Sequence, residues 1–166
     1  LHSNGYSLVR HVLLEKAGWA LDREVPELGR TLGEELLEPT RIYAKACLAL
    51  AASTEVHAMS HVTGGGLAAN LARVMPAELR ATLERGTWNP APIFDVVRQV
   101  GGVSQPDLEA TLNCGVGMVA VCDPVSIDAS LSLLDGFGIR SWVVGEVDVD
   151  PDQDATVRLV GQHPDW

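Results

Sequence analysis

The amino-acid sequence predicts an α+β domain, a three-layer α/β/α arrangement with one mixed β-sheet flanked by helices. Three observations carry this. Helical and strand-like periodicities alternate along the chain, with glycine and proline between them. Residues 115–122 are apolar on both faces, as a central strand covered on each side should be. The last two strand-like runs, 141–149 and 155–160, are joined by a short polar loop, which requires them to run antiparallel and makes the sheet mixed.

The elements follow in order. Ser3 or Asn4 is placed to cap a first helix running to about residue 17, with Leu8, Val9, Val12, Leu13 and Ala17 at helical spacings and Gly18 as its stop. Residues 19–39 are interrupted by Pro26, Gly29, Gly33 and Pro39 and read as a loop with one turn of helix at 32–37. Pro39-Thr40 opens a second helix with the stripe Tyr43, Ala46, Cys47, Leu50 and Ala51. Residues 56–62 read as a strand that places His57, Met59 and His61 on one face. A helix starts in the glycines at 64–66, carries Leu67, Leu71 and Val74, and ends near Pro76. A short strand at 79–84, a loop at 86–92 and a helix at 93–100 stopped by Gly101-Gly102 come next. After the strand at 115–122, Asp123-Pro124 begins a helix bearing Ile127, Leu131 and Leu134. The tail from Gly161 reads as loose.

There is no repeat and no linker, so the 166 residues read as one domain, 1–166. The chain is 46% hydrophobic and 20% charged, which excludes a disordered or fibrous protein. Its net charge of −10 argues against a nucleic-acid or anionic-membrane surface. No apolar run reaches the roughly 20 residues of a membrane helix. Cys47, Cys114 and Cys122 are odd in number and lack a C-x-x-C, so buried thiols in a reducing cytoplasm are expected, without disulfides or a zinc ribbon.

The strongest local signal is His61-Val62-Thr63-Gly64-Gly65-Gly66 at a strand-to-helix turn. Glycines let backbone N–H groups approach an anion closely, and the same residues serve a tight turn that needs positive φ. It is neither a Walker A loop nor G-x-G-x-x-G. His61 beside this turn is a candidate ligand contact or proton carrier. His57 and His61 do not form H-E-x-x-H, so no metal site is expected. His2-Ser3-Asn4-Gly5 reads as a polar helix entry, and Asn113-Cys114-Gly115 as a turn with an available amide. Cys114 as a nucleophile would need His and Asx partners. Asp148, Asp150, Asp152 and Asp154 read as a solvated face.

Four segments in order add a resemblance. They are residues 2–10, HSNGYSLVR; residues 37–43, LEPTRIY; residues 61–66, HVTGGG; and residues 113–118, NCGVGM. Together they resemble the C-terminal half of the phosphoribosylformylglycinamidine cyclo-ligase (aminoimidazole ribonucleotide synthetase) family, over nearly the whole chain. Leu112 and Cys114 depart from the usual aromatic and Met of the fourth segment. The resemblance implies a ligase of purine biosynthesis that uses ATP and Mg2+ to close the imidazole ring of its substrate, formylglycinamidine ribonucleotide. It implies a cleft shared with an N-terminal domain that supplies most metal ligands, and a cytoplasmic homodimer. By motif, His2 and His61 would be catalytic. Ser3, Asn4, Gly5, Tyr6, Thr63, Gly64, Gly65, Gly66 and Asn113 would bind substrate or nucleotide. Leu1 without an initiator Met suggests a piece of a longer protein, inactive alone. The alternatives are another ATP-dependent enzyme of the same superfamily (an amidotransferase, selenophosphate synthetase or thiamine-phosphate kinase) or a non-catalytic binding module.

Overall fold

The computed structural model describes residues 1–150 and 156–166. The architecture is α+β, as expected, with a mixed sheet and flanking helices. The first helix, α1, spans Tyr6–Arg10 and continues as a π-helical stretch over His11–Lys16. It buries Val9, Val12 and Leu13. Gly5, with φ 83°, stands at its N-cap, so neither Ser3 nor Asn4 caps it. Within the expected loop, β1 (Glu24–Val25) and β2 (Arg30–Thr31) form a small antiparallel hairpin. The anticipated turn of helix is α2 (Leu32–Leu36), fixed by a capping box between Thr31 and Glu34.

The second long helix, α3, spans Ala44–Ser53, starting later than Pro39-Thr40 suggests. Residues 37–43 lie outside any helix, and Tyr43 takes the N-cap position. Strand β3 (Val56–His61) leads through the glycines into α4 (Gly66–Ala72). Strand β4 occupies Leu79–Glu84, as read from the sequence. Helix α5 (Pro92–Gly101) ends on Gly102 in the left-handed region. Helix α6 (Gln105–Thr111) was not expected, although Ser104 caps it by accepting from the Asp107 N–H. Its signature, Ser-x-x-Asp with a proline inside the first turn, is short and carries only one buried side chain, Leu108.

Among the described residues, strand β5 (Met118–Cys122) pairs antiparallel with β3 alone and takes an edge position, not the expected central one. Its Ala120 is exposed, opposite Met59. Helix α7 spans Ile127–Gly136, after the expected Asp123 cap. The terminal hairpin needs correction. Strands β6 (Gly145–Val149) and β7 (Val157–Val160) do not pair with each other. Strand β4 lies between them, antiparallel to β6 and parallel to β7. Burial gives the reason. Ala81 and Leu83 of β4 are buried, and the backbone of this covered strand is paired on both sides, whereas β6 carries exposed acidic residues suited to an edge. Of the four aspartates read as a solvated face, Asp148 is exposed, but Asp150 is buried and accepts from the Thr156 hydroxyl at 2.9 Å. Asp152 and Asp154 lie outside the described residues.

Two apolar clusters organise the chain. One is helical, built on Val9, Leu13, Leu32, Phe94, Val97 and Leu108. The other joins Leu67 and Leu71 of α4 to Ala81, Leu83, Val119 and Trp88. The tail is not loose: His163 is 2% exposed, its ring 4.6 Å from that of Trp88 and 4.7 Å from that of Trp166.

Candidate functional site

Three rings from three separate segments meet at the end of β3. His2 Nε2 lies 3.2 Å from the Tyr43 hydroxyl. The ring centroids are 5.7 Å apart for His2 and Tyr43, 6.4 Å for His2 and His61, and 6.3 Å for Tyr43 and His61. The fourth segment supplies the floor. A Cβ on Gly117 would overlap both the Tyr43 hydroxyl and the His2 ring, so only glycine lets the cluster close on the backbone. Strand pairing delivers this floor, because Val62 N–H donates to the Gly117 carbonyl at 2.9 Å. His61 stays exposed, opposite Met118. Burial pushes the His2 imidazole below its ordinary value, helped by His61 and Arg41. Burial raises the Tyr43 phenol, partly opposed by Arg41.

The glycine turn beside His61 is organised by Asn70. Its Nδ2 donates to the carbonyls of Thr63 and Gly64 at 3.2 Å each and of Gly66 at 2.7 Å. Its Oδ1 accepts from the Thr63 hydroxyl and from Arg73, both at 3.0 Å. In a trans peptide the carbonyl and the following N–H point in opposite directions. Gathering the Thr63 and Gly64 carbonyls therefore turns the N–H groups of Gly64 and Gly65 away from Asn70. The three glycines are not equivalent. A Cβ on Gly64 would meet nothing, whereas one on Gly66 would overlap the Glu109 carbonyl. Gly64 is thus open to a ligand and Gly66 is required by packing against α6.

The other sequence candidates divide. Ser3 and Asn4 are exposed next to His2, with the Ser3 hydroxyl 2.9 Å from that of Thr40. Tyr6 donates to the Leu36 carbonyl at 2.7 Å, tying α1 to α2. Asn113 accepts from the Gly115 N–H at 3.3 Å and orders its own loop. A cavity of about 1070 Å³ reaches from His2, Tyr43 and Asn113 past Met59 to Leu131 of α7. Cys114 is no nucleophile in this setting: burial pushes its thiol up to about 12, Glu109 adding to the effect. His57 is exposed, and among the described residues no group of three His, Cys, Asp or Glu is placed to hold a metal ion. Tyr43 was missed as a site residue because its spacing fits the apolar stripe of α3; its place in the second ordered segment was the available signal.

Comparison with known proteins gives the family. A family described as AIR synthase related protein, C-terminal domain, matches residues 1–158. A Streptomyces fradiae protein is 63% identical over 147 residues, covering 89% of this chain and 81% of that protein. The phosphoribosylformylglycinamidine cyclo-ligase of Symbiobacterium thermophilum is 46% identical over 150 residues, covering 89% of this chain and 42% of its own length. The protein of that name from Anaeromyxobacter is 48% identical over 161 residues, 96% of this chain and 46% of its own length. The match over residues 1–158 defines the class, the C-terminal domain of an AIR synthase related protein. The chain belongs to the AIR synthase related family; it spans less than half the length of the Symbiobacterium and Anaeromyxobacter cyclo-ligases, and 81% of the Streptomyces fradiae protein.

Proposed function

We propose that the full-length protein is the ATP-dependent cyclo-ligase of de novo purine biosynthesis. It closes formylglycinamidine ribonucleotide to aminoimidazole ribonucleotide and releases ADP and phosphate. This chain contributes one wall of the ATP and substrate cleft; the other comes from a preceding N-terminal domain. The full-length enzyme works as a cytoplasmic homodimer, and residues 1–166, one folding unit, are inactive alone. The observation that carries the reading is the convergence of all four ordered segments on one place, with the His2, Tyr43 and His61 rings gathered within 6.4 Å of one another and Gly117 against Tyr43 and His2.

In this reading the outward N–H groups of Gly64 and Gly65 bind a phosphate of substrate or nucleotide. Donors fixed before the ligand arrives cost no reorganisation. Thr63, Ser3, Asn4 and Asn113 offer polar contacts around it, while Gly5, Tyr6 and Gly66 hold the walls in place. His2, kept neutral by burial, accepts or returns a proton during ring closure, and exposed His61 stabilises developing charge beside the phosphate. Among the described residues no group of three His, Cys, Asp or Glu is placed to hold a metal, and in this reading the magnesium ligands come mainly from the N-terminal domain.

Gly64 gives a clean test, since a side chain there projects into open space and leaves packing intact. Gly64→Val in the full-length enzyme is expected to keep the wild-type melting temperature while KM for the phosphorylated substrate or ATP rises at least tenfold. Wild-type kinetic constants in that variant would refute the cradle.

A further inference from the structure

We propose that the Tyr43 hydroxyl is a positioning group, holding the His2 imidazole in one tautomer and one plane beside His61. The inference deepens the reading of His2 as the proton-handling residue and rests on it. The hydroxyl lies 3.2 Å from His2 Nε2, and no other hydrogen bond to the imidazole exists among the described residues. The groups facing His2 are Tyr43, His61 and Arg41. Of these, Tyr43 is the only one in hydrogen-bond contact.

The direction of that bond follows from chemistry. Both rings are neutral at neutral pH, because burial lowers the imidazole and raises the phenol. A phenol is the stronger donor of the two, so its O–H donates to Nε2 and the ring proton of His2 resides on Nδ1. Nδ1 is enclosed without a partner. A buried donor left unpaired costs about 1–3 kcal/mol, and a pinned ring maintains that arrangement where a free one would turn over. Local backbone sets the phenol in place. The non-helical run through residue 43 puts Tyr43 on the N-cap of α3, outside the helical stripe, and bare Gly117 leaves room for the hydroxyl beneath His2. The same geometry explains why ring size alone is insufficient: Phe at 43 would fill the space and leave Nε2 without its donor.

The test uses full-length enzyme and three forms: wild type, Tyr43→Phe and His2→Ala. Tyr43→Phe is expected to melt as wild type and to keep KM. Its kcat should fall about tenfold or more, and the acidic limb of its kcat–pH profile should move. Nitrogen-15 histidine spectra should show the His2 resonances going from a single Nδ1–H tautomer to a mixture. If His2→Ala retains wild-type kcat, the reading of His2 itself fails. If His2→Ala is inactive while Tyr43→Phe keeps the wild-type kcat, pH profile and single tautomer, the positioning inference alone is overturned.

Discussion

Gly117 and Cys114 occupy one loop and show how a side chain's absence and its burial set chemistry. A methyl group at 117 would take the space of the Tyr43 hydroxyl and the His2 ring, so the contribution of Gly117 is room. Cys114 is 4% exposed, with φ 46°, a left-handed conformation unusual for a residue bearing a Cβ. With its thiol held up at about 12, almost none is thiolate at neutral pH. Iodoacetamide at pH 7.5 is therefore expected to modify Cys114 only after unfolding, as peptide mapping would reveal. Modification of native protein at the rate of a free thiol would contradict this. Sequence reasoning reached His2 and His61 because they sit in recognisable motifs. It could not reach Gly117, whose role depends on which strand lies beside which. Nor could it separate Gly64 from Gly66, since open space and a neighbouring carbonyl leave identical letters in the chain.

At the scale of elements, the strand at 79–84 was legible from its own residues, but its neighbours were not. The polar loop correctly implied that β6 and β7 run in opposite directions. Nothing local revealed that β4 stands between them, because insertion depends on burial of Ala81 and Leu83 far away in sequence. The tail was misread for a similar reason. Arg85 donates to both Glu109 carboxylate oxygens at 2.8 and 2.7 Å and to the Leu159 carbonyl at 2.7 Å. It thereby joins β4, α6 and β7. His163 Nε2 lies 3.3 Å from Glu109, and its Nδ1 donates to the Trp88 carbonyl at 3.3 Å. Burial pushes the Glu109 carboxyl up, but Arg85 and Gln105 hydrogen bonds with the charges of Arg85 and His163 hold it below the ordinary value. Its stabilising contribution is complete above the range where a free glutamate titrates, and it is lost as pH falls through the lower folded value. Glu109→Gln should cost roughly 1–3 kcal/mol at pH 7 and lessen the fall in stability below pH 5. Urea unfolding at pH 7 and pH 4 would show it, and an unchanged pH slope would count against the pairing. His163→Ala should free the tail, lowering the melting temperature and shifting tryptophan fluorescence as Trp88 and Trp166 lose their common partner. An unaltered emission spectrum would speak against the sandwich.

For the molecule as a whole, the helical and sheet clusters are fastened together by long-range pairs, and residues far apart in sequence share in the fastening. Leu1 and Trp166 pack against the same helical cluster. The α+β class and the family were legible because they rest on repeated local patterns and ordered motifs. The arrangement of strands was not, because it rests on contacts between distant residues. The place of β4 has a consequence for biosynthesis. Both strands that flank it are made after it, so during translation Ala81 and Leu83 emerge with two unpaired edges and no sheet to join. Until the ribosome releases the segment through His163, Glu109 and Trp88 also lack their last partner. The nascent chain therefore carries β4 unpaired until β6 and β7 have been made, a state in which chaperone capture and aggregation compete with folding.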